Sequence, residues 1–497
     1  MKTGATVLGL SVSGLSMAAN APAAPVSFDK VVDVIVIGSG FAGLAAAIQA
    51  KEEGADVLLL EKMPAFGGNS AINGGAFAVA GSPLQEKEGI KDSPELMLKD
   101  MIASGRGLSH VDLLKNIVYG TRGAYEFTLK YGVKYKPFVQ HFGGHSVPRI
   151  MQTVESTGGG ITRPMVAAAK KLGVDMRLRA FVEEFILNPE GRVIGLKVRE
   201  GYRFPNKDSG GIVNFGARRG VVVATGGFSQ NVAFRKLQDP QLDERLESTN
   251  HPGATGEMLL AMLSLGATPV QLDQIQLGPW SSPDERGFGL VSQFNTIAGF
   301  PKGIMVDVRT GKRFVNELAD RKARSDAILK NMENNKPVYP VCFVDSEGVK
   351  QAQTLKNGLK YGVIKEFDTL EALADFYKIP REAFLQQVEE FNKYVRAGKD
   401  EQFHRPLDIA VEVKKAPFYA ARVWPKVHYC MGGVGISPKA EVLNIRTQQP
   451  IDGLYAAGEV TGGTHGASRL GGCAIADGLC TGRIAGMEAA KHPAIQL

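Results

Sequence analysis

An α/β fold is predicted for this chain: a nucleotide-binding domain on a parallel sheet, interrupted by an inserted domain. Three observations predict it. Val31-Val32-Asp33-Val34-Ile35-Val36-Ile37 is a near-continuous β-branched run, the pattern of a strand buried on both faces of a parallel sheet. Gly38-Ser39-Gly40-Phe41-Ala42-Gly43 follows at once and opens the helical stretch Leu44-Ala45-Ala46-Ala47-Ile48-Gln49-Ala50. Strands running into glycine turns recur at both ends of the chain, but between about 271 and 410 the texture differs.

In chain order, the first strand, glycine turn and helix lead past Gly54 to a second strand, Asp56-Val57-Leu58-Leu59-Leu60, closed by Glu61. Gly220-Val221-Val222-Val223-Ala224-Thr225-Gly226-Gly227 is a further buried strand entering a glycine turn. Residues 271–410 carry polar loops, such as Asn334-Asn335-Lys336-Pro337, and helical periodicity at 370–376 and 384–388. A strand at 451–459, a glycine-rich turn and a helix over 474–490 complete the chain. The expected boundaries are an export segment at 1–29, a nucleotide-binding domain at 30–270 and 411–497, and the inserted domain at 271–410.

With 497 residues, 44% hydrophobic and 22% charged, the chain can build two or three full-sized cores, which excludes disordered and collagen-like classes. Glycine is in excess, 59 of 497 or about 12% against the roughly 7% usual in proteins. The net charge of +7 is spread without basic runs, so no nucleic-acid partner is expected. Cys342, Cys430, Cys473 and Cys480 form no CxxC or CxxCH, which leaves neither a zinc knuckle nor a covalent haem, and no metal site is expected. The small-residue apolar stretch after Lys2, ending at Ala19-Asn20-Ala21-Pro22-Ala23-Ala24, has the look of a signal-peptidase site, and the opening resembles the tail of a twin-arginine signal. Periplasmic export is the expectation, with a cytoplasmic enzyme as the alternative if that segment is no signal. No later run reaches 18 apolar residues, so no transmembrane anchor is expected.

The glycine turn follows a strand, opens a helix, and is followed 18 residues past Gly43 by Glu61, the context of a dinucleotide fingerprint. Gly38 permits the tight turn, Gly40 lets backbone approach a pyrophosphate, and Gly43 lets helix and strand pack closely. The helix N-terminus offers N–H groups to phosphates, and Glu61 accepts from a ribose hydroxyl. FAD is favoured over NAD by Glu61-Lys62-Met63-Pro64-Ala65-Phe66-Gly67-Gly68-Asn69-Ser70-Ala71-Ile72-Asn73-Gly74-Gly75. Its glycine pairs let a ring system lie on backbone, while Asn69 and Ser70 bond ribityl or ring heteroatoms.

That stretch, together with Ala224-Thr225-Gly226-Gly227-Phe228, Gly311-Lys312-Arg313-Phe314-Val315-Asn316-Glu317, His428-Tyr429-Cys430-Met431-Gly432-Gly433 and Gly458-Glu459-Val460-Thr461-Gly462-Gly463-Thr464-His465-Gly466-Ala467-Ser468-Arg469-Leu470-Gly471-Gly472, resembles the flavoprotein of the soluble fumarate reductase and flavocytochrome c family from about residue 31 to the C-terminus. The resemblance implies a Rossmann-like FAD-binding domain with an inserted α+β capping domain. It implies Arg321 as general acid, and His428 and Arg469 as the clamp on a substrate carboxylate, the three forming the catalytic set. It adds Gly75, Gln276, Trp280 and Gly472 to the substrate contacts. For the cofactor it implies Gly38, Gly40, Ala42, Gly43, Glu61, Lys62, Gly68, Asn69, Ser70, Asn73, Gly74 and Gly75 in the first motif. Further on it implies Val182, Ala224, Thr225, Gly226, Glu257, Gly458 and Glu459, with the Ala474 and Ile475 backbone at a helix N-terminus. Relatives that hold FAD covalently use a histidine where Asn69–Gly75 has none, so non-covalent FAD is expected.

Chemistry favours the same roles. Hydride addition to the β-carbon of an α,β-unsaturated acid builds enolate-like charge that a cationic site stabilises, and the α-carbon then needs a proton. Arginine is a poor acid because its pKa exceeds 12, so Arg321 must be re-protonated at once. Taken singly, Arg321 is also readable as a salt-bridge partner of Glu317 four residues earlier, His428 as a core histidine and Arg469 as a pyrophosphate contact. The departures matter too. Gln276 aligns with the family's histidine for a far carboxylate, and Gly289–Thr296 is longer than the family's Thr-Glu-x-x-Arg stretch and uncharged. A second carboxylate would be desolvated without a cation, at several kcal/mol. Trp280, Phe288 and Phe294 suggest an apolar end instead. The expected substrate is therefore a monocarboxylate enoate such as acrylate, methacrylate or an arylacrylate, with a separate c-type cytochrome as electron donor. Alternatives are a fumarate reductase whose far carboxylate is held by Gln276 and loop amides, a flavin dehydrogenase of the 3-ketosteroid type, and an electron-transfer flavoprotein.

Overall fold

The computed structural model describes residues 26–497; residues 1–25, most of the expected export segment, lie outside the described residues. The main sheet runs Glu441–Leu443, Pro450–Ala456, Gly211–Val223, Lys30–Ile37, Val57–Glu61, Asp175–Leu178. Neighbours are parallel except the outer Glu441–Leu443 strand, which is antiparallel to Pro450–Ala456. Gly211–Val223 is long enough to pair Lys30–Ile37 on one edge while its first half pairs an antiparallel hairpin, Ala180–Leu187 with Val193–Glu200. The β-branched run of the first strand is continuous because both faces are covered. Val34 and Val36 pack into one core with the helices Phe41–Glu52 and Cys473–Lys491, while Val32, Ile35 and Ile37 pack into a second core on the other face.

The inserted domain has its own antiparallel sheet, Lys312–Arg313, Ile304–Asp307, Val341–Val344, Phe418–Arg422, Lys365–Phe367. The helices Leu370–Tyr377 and Arg381–Ala397 cover it, burying Phe343, Phe384 and Phe391. This sheet takes in Phe418–Arg422, so the capping unit extends beyond the boundary expected at 410. No composition change marks that strand, which is a buried apolar run like those of the main sheet.

The two crossings between the domains are joined. Ile275–Gly278 pairs antiparallel with Lys426–Cys430, with Gln276 opposite Tyr429. Gln276 and His428 therefore sit side by side on a two-stranded ribbon at the domain boundary. The helix Arg321–Leu329 starts beside it, its N-terminus capped by Asp320, which accepts from the backbone N–H groups of Lys322 and Ala323 at 2.9 and 3.1 Å.

Candidate active site

Arg321 is the first residue of its helix, and its guanidinium lies 4.6 Å from the Trp280 ring centroid. Its Nη1 donates to Gln276 Oε1 at 2.8 Å. The Trp280 ring meets the His428 ring edge-on at 5.2 Å, and Phe288 lies 6.3 Å from the same imidazole. Across the ribbon, Arg469 stacks on the Tyr429 ring at 4.4 Å, and its Nη1 donates to the Leu470 carbonyl at 3.0 Å. A Cβ added to Gly471 would stand 3.5 Å from Arg321 Nη2, so the turn carrying Arg469 reaches the acid candidate. The structure thus brings Arg321, His428 and Arg469 around Trp280 and Gln276.

Among the described residues neither Arg321 nor Arg469 is bonded to a carboxylate. Burial, then the charges of Arg469 and Arg324, push the Arg321 pKa well down. Burial also lowers Arg469. His428 is pushed well below the usual imidazole range by burial and then by Arg321 and Arg469, so it is neutral near pH 7. Two cations and a neutral imidazole with no anion between them suit an anionic ligand, because a buried charge is stable only when paired.

The partner expected for Arg321 in the simpler reading is absent. Glu317 is fully buried and binds Arg313 at 2.6 and 2.9 Å and Arg405 at 3.3 Å, in a cluster that includes Asp400. The Arg-Phe-x-Asn-Glu motif is therefore structural, and Arg321 is free of it. Phe294 also differs from expectation. It is fully buried in a capping-domain core with Val291, Ala298 and Val344, so it packs a short helix rather than ending the pocket. Gln276 is a third correction. Its amide donates to Ser468 Oγ at 3.3 Å and to the Arg469 carbonyl at 3.1 Å, leaving no hydrogen for a far carboxylate.

The residues assigned to the cofactor form a cradle with open donors. A Cβ on Gly43 would stand 1.9 Å from the Gly38 carbonyl oxygen, so turn and helix close only with glycine there. The helices Phe41–Glu52 and Cys473–Lys491 both begin on glycines, Gly40 and Gly472, without a side-chain cap, leaving first-turn N–H groups, Ala474 and Ile475 among them, for an anion or ring carbonyl. No atom lies within 4 Å of the space over Gly68 and Gly74. Thr225 Oγ1, Thr464 Oγ1, His465 Nδ1 and Arg469 Nε are buried without partners, all within the motifs assigned to cofactor and substrate. A dinucleotide with hydroxyls, pyrophosphate and a polar ring fits this donor and acceptor set.

Glu61 ends its strand and accepts from Ser39 Oγ at 2.6 Å and Met63 N at 2.9 Å, which fixes the carboxylate with lone pairs to spare for a ribose. Lys62 is paired with Glu257 at 2.8 Å, and Ser70 Oγ accepts from Phe41 N at 2.9 Å beside Gly40 and Ala42. Asn69 Oδ1 accepts from His251 N and so ties the turn to a distant segment, while Asn73 bonds the Ser70 carbonyl and Gly75 N and shapes the turn itself. Gly75 and Gly472 stand on backbone with positive φ, against Thr157 O and Ala78 N. Val182 lies on the hairpin strand in the core below the sheet, and Ala224, Thr225 and Gly226 follow the Gly211–Val223 strand. Gly226 faces the carboxylate of Glu459, which accepts from Cys430 N at 3.0 Å and is raised by burial to about 7, while Gly458, at positive φ, stands against Ala42.

Sequence reasoning missed three contributors. Thr249 Oγ1 lies 2.8 Å from His428 Nδ1. Tyr429 supplies the ring under Arg469. Arg324, one turn after Arg321, lies over Phe300 and donates to the Glu317 carbonyl at 3.2 Å. Thr249 carried no motif signal. Tyr429 and Arg324 lay inside quoted or adjacent stretches, with only residue type to mark them.

Comparison with known proteins places these features in a wider set. The FAD binding domain family matches residues 33–475. The chain is 48% identical over 487 residues to the acrylate reductase flavoprotein subunit of Shewanella woodyi, covering 97% of this chain and 95% of that protein. It is 33% identical to the urocanate reductase of Eggerthella lenta, over 94% of this chain and 76% of that protein. The open conformation of a flavocytochrome c3 fumarate reductase superposes with a TM-score of 0.77 at 33% identity, covering 94% of this chain and 79% of that one.

Proposed function

Given that the chain belongs to the FAD binding domain family, we propose that it is a flavoenzyme reducing the C=C bond of an α,β-unsaturated monocarboxylate, acrylate or a close analogue. The observation that carries the substrate class is the convergence of Arg321, His428 and Arg469, neither arginine bonded to a carboxylate among the described residues, beside aromatic rings and with the Gln276 amide committed to Ser468 and Arg469. Reduced FAD supplies a hydride equivalent at its N5 when bound. Arg469 and His428 hold and polarise the carboxylate, which accepts the charge that builds as the β-carbon gains hydride. Arg321 gives the proton to the α-carbon, and its lowered pKa makes it a better acid than a solvated arginine. Thr249 Oγ1, 2.8 Å from His428 Nδ1, engages that nitrogen and orients the ring, which leaves Nε2 as the nitrogen open to the substrate.

Each turnover consumes two electrons and two protons, and an external donor must return the electrons; a separate c-type cytochrome in the periplasm suits a chain with no haem motif. FAD is held non-covalently in this reading, and export accounts for the N-terminal small-residue segment. No helix among the described residues is long and apolar enough to cross a membrane. Anaerobic oxidation of reduced viologen by the FAD-loaded protein tests the proposal. Acrylate, methacrylate or cinnamate should turn over faster than fumarate; a preference for fumarate would overturn the monocarboxylate assignment.

A further inference from the structure

Gln276 is 3% exposed and each of its amide atoms is engaged. Its Oε1 accepts from Arg321 at 2.8 Å, on the capping domain, and its Nε2 donates to Ser468 Oγ and to the Arg469 carbonyl, on the turn that carries the carboxylate clamp. Its own strand is paired with that of His428. One side chain thus ties together the three elements that bring Arg321, His428 and Arg469 to the site.

The Arg321 guanidinium makes no other hydrogen bond among the described residues; the Trp280 face and Gln276 define where it points. We propose that Gln276 is a positioning residue for proton transfer: an uncharged acceptor that aims Arg321 at the substrate without binding its proton more tightly. This rests on the reading of Arg321 as proton donor in an enoate reductase. The amide is chemically apt. A carboxylate at 276 would hold the guanidinium as an ion pair, raise its proton affinity and offset the positive field that draws the substrate. A cation would repel Arg321. An aliphatic side chain would leave the guanidinium resting on Trp280 alone, free to turn about its long stem.

The test is steady-state kinetics of FAD-loaded Gln276→Leu and Gln276→Glu with acrylate, beside wild type, in H₂O and D₂O. Misplacement of an acid by about 1 Å costs on the order of 100-fold, so kcat of Gln276→Leu should fall about 10- to 100-fold with KM changed less than about threefold. The solvent isotope effect on kcat should rise as proton transfer becomes limiting, which loss of fold would not produce. Gln276→Glu keeps the shape of the acceptor and should lose kcat while KM rises about tenfold. Unchanged kcat in Gln276→Leu, or a loss with no change in isotope effect, would overturn the proposal. Should Gln276→Leu fail to hold FAD, the isosteric Gln276→Glu decides, and wild-type kcat there overturns it. A wild type inactive on every unsaturated acid would defeat the functional reading itself; an active wild type with an unimpaired Gln276→Leu would defeat only the role of Gln276.

Discussion

At the scale of single residues, the site is built from groups whose ordinary chemistry has been bent by burial, and each bend makes a measurable claim. Thr249 holds the His428 imidazole at Nδ1 across 2.8 Å, so Thr249→Val should lower kcat/KM for an unsaturated acid about tenfold while FAD content stays at one per chain, read by absorbance and steady-state assay. Glu459 offers a pH test. Burial raises its carboxyl from 4.5 to about 7, so in that window the folded apoprotein binds more protons than the unfolded chain. Its stability therefore falls as pH rises from about 4.5 to about 7, by at most roughly 3 kcal/mol, and the loss is complete above 7. The neutral variant Glu459→Gln removes this dependence. Its apoprotein should melt higher than wild type at pH 8 and coincide with it at pH 4, by thermal scans in matched buffers. The convergence of Arg321, His428 and Arg469 was legible because His428 and Arg469 lie in motifs and Arg321 follows one by four residues. The commitment of Gln276 was not, because it depends on partners 45 and 192 residues away.

At the scale of elements, the buried strand, the glycine turn and the C-terminal helix were legible because their patterns are local: the predicted helix at 474–490 is Cys473–Lys491, and the first strand is Lys30–Ile37. The use of the glycine excess was only partly legible. Clusters at 38–43, 67–75 and 458–472 line the cradle, but Gly482 and Gly486 serve helix packing. A Cβ on Gly482 would stand 2.3 Å from the Ala42 carbonyl oxygen, and one on Gly486 would stand 2.2 Å from that of Ala46. These contacts press the C-terminal helix onto Phe41–Glu52, the helix whose N-terminus is offered to the pyrophosphate. Gly482→Ala must therefore push the two helices apart against backbone, at a cost of about 1–3 kcal/mol. Its melting temperature should fall and its FAD dissociation constant rise, by fluorescence titration of the apoprotein. A variant with normal FAD affinity would mean the pyrophosphate end is insensitive to that packing. The boundary at 410 failed for a related reason: a capping-sheet strand and a main-sheet strand have the same apolar texture, and only pairing tells them apart.

At the scale of the molecule, the question is whether sheet domain and capping domain behave as one body. Each has its own core, which by itself favours separate melting. Two features oppose that. A shared core joins Leu242 and Leu246 from one side to Trp280, Phe300 and Ile328 from the other, and the two crossings are hydrogen-bonded to each other through Ile275–Gly278 and Lys426–Cys430. A domain that melts alone would expose that apolar core and break the ribbon carrying Gln276 and His428. The fold class and the insertion were visible in the sequence, but this coupling was not, since it comes from side chains that are ordinary loop hydrophobics until the chain closes on itself. Calorimetry of the apoprotein should accordingly show one transition. FAD at a hundredfold excess over its dissociation constant stabilises the folded state by about 2.7 kcal/mol. With an unfolding entropy of about 1 kcal/mol/K for a chain of this size, the single transition should rise by about 3 °C. Two transitions, of which only the larger moves with FAD, would instead show that the cofactor steadies the sheet domain alone and that the ribbon does not transmit its binding to Arg321.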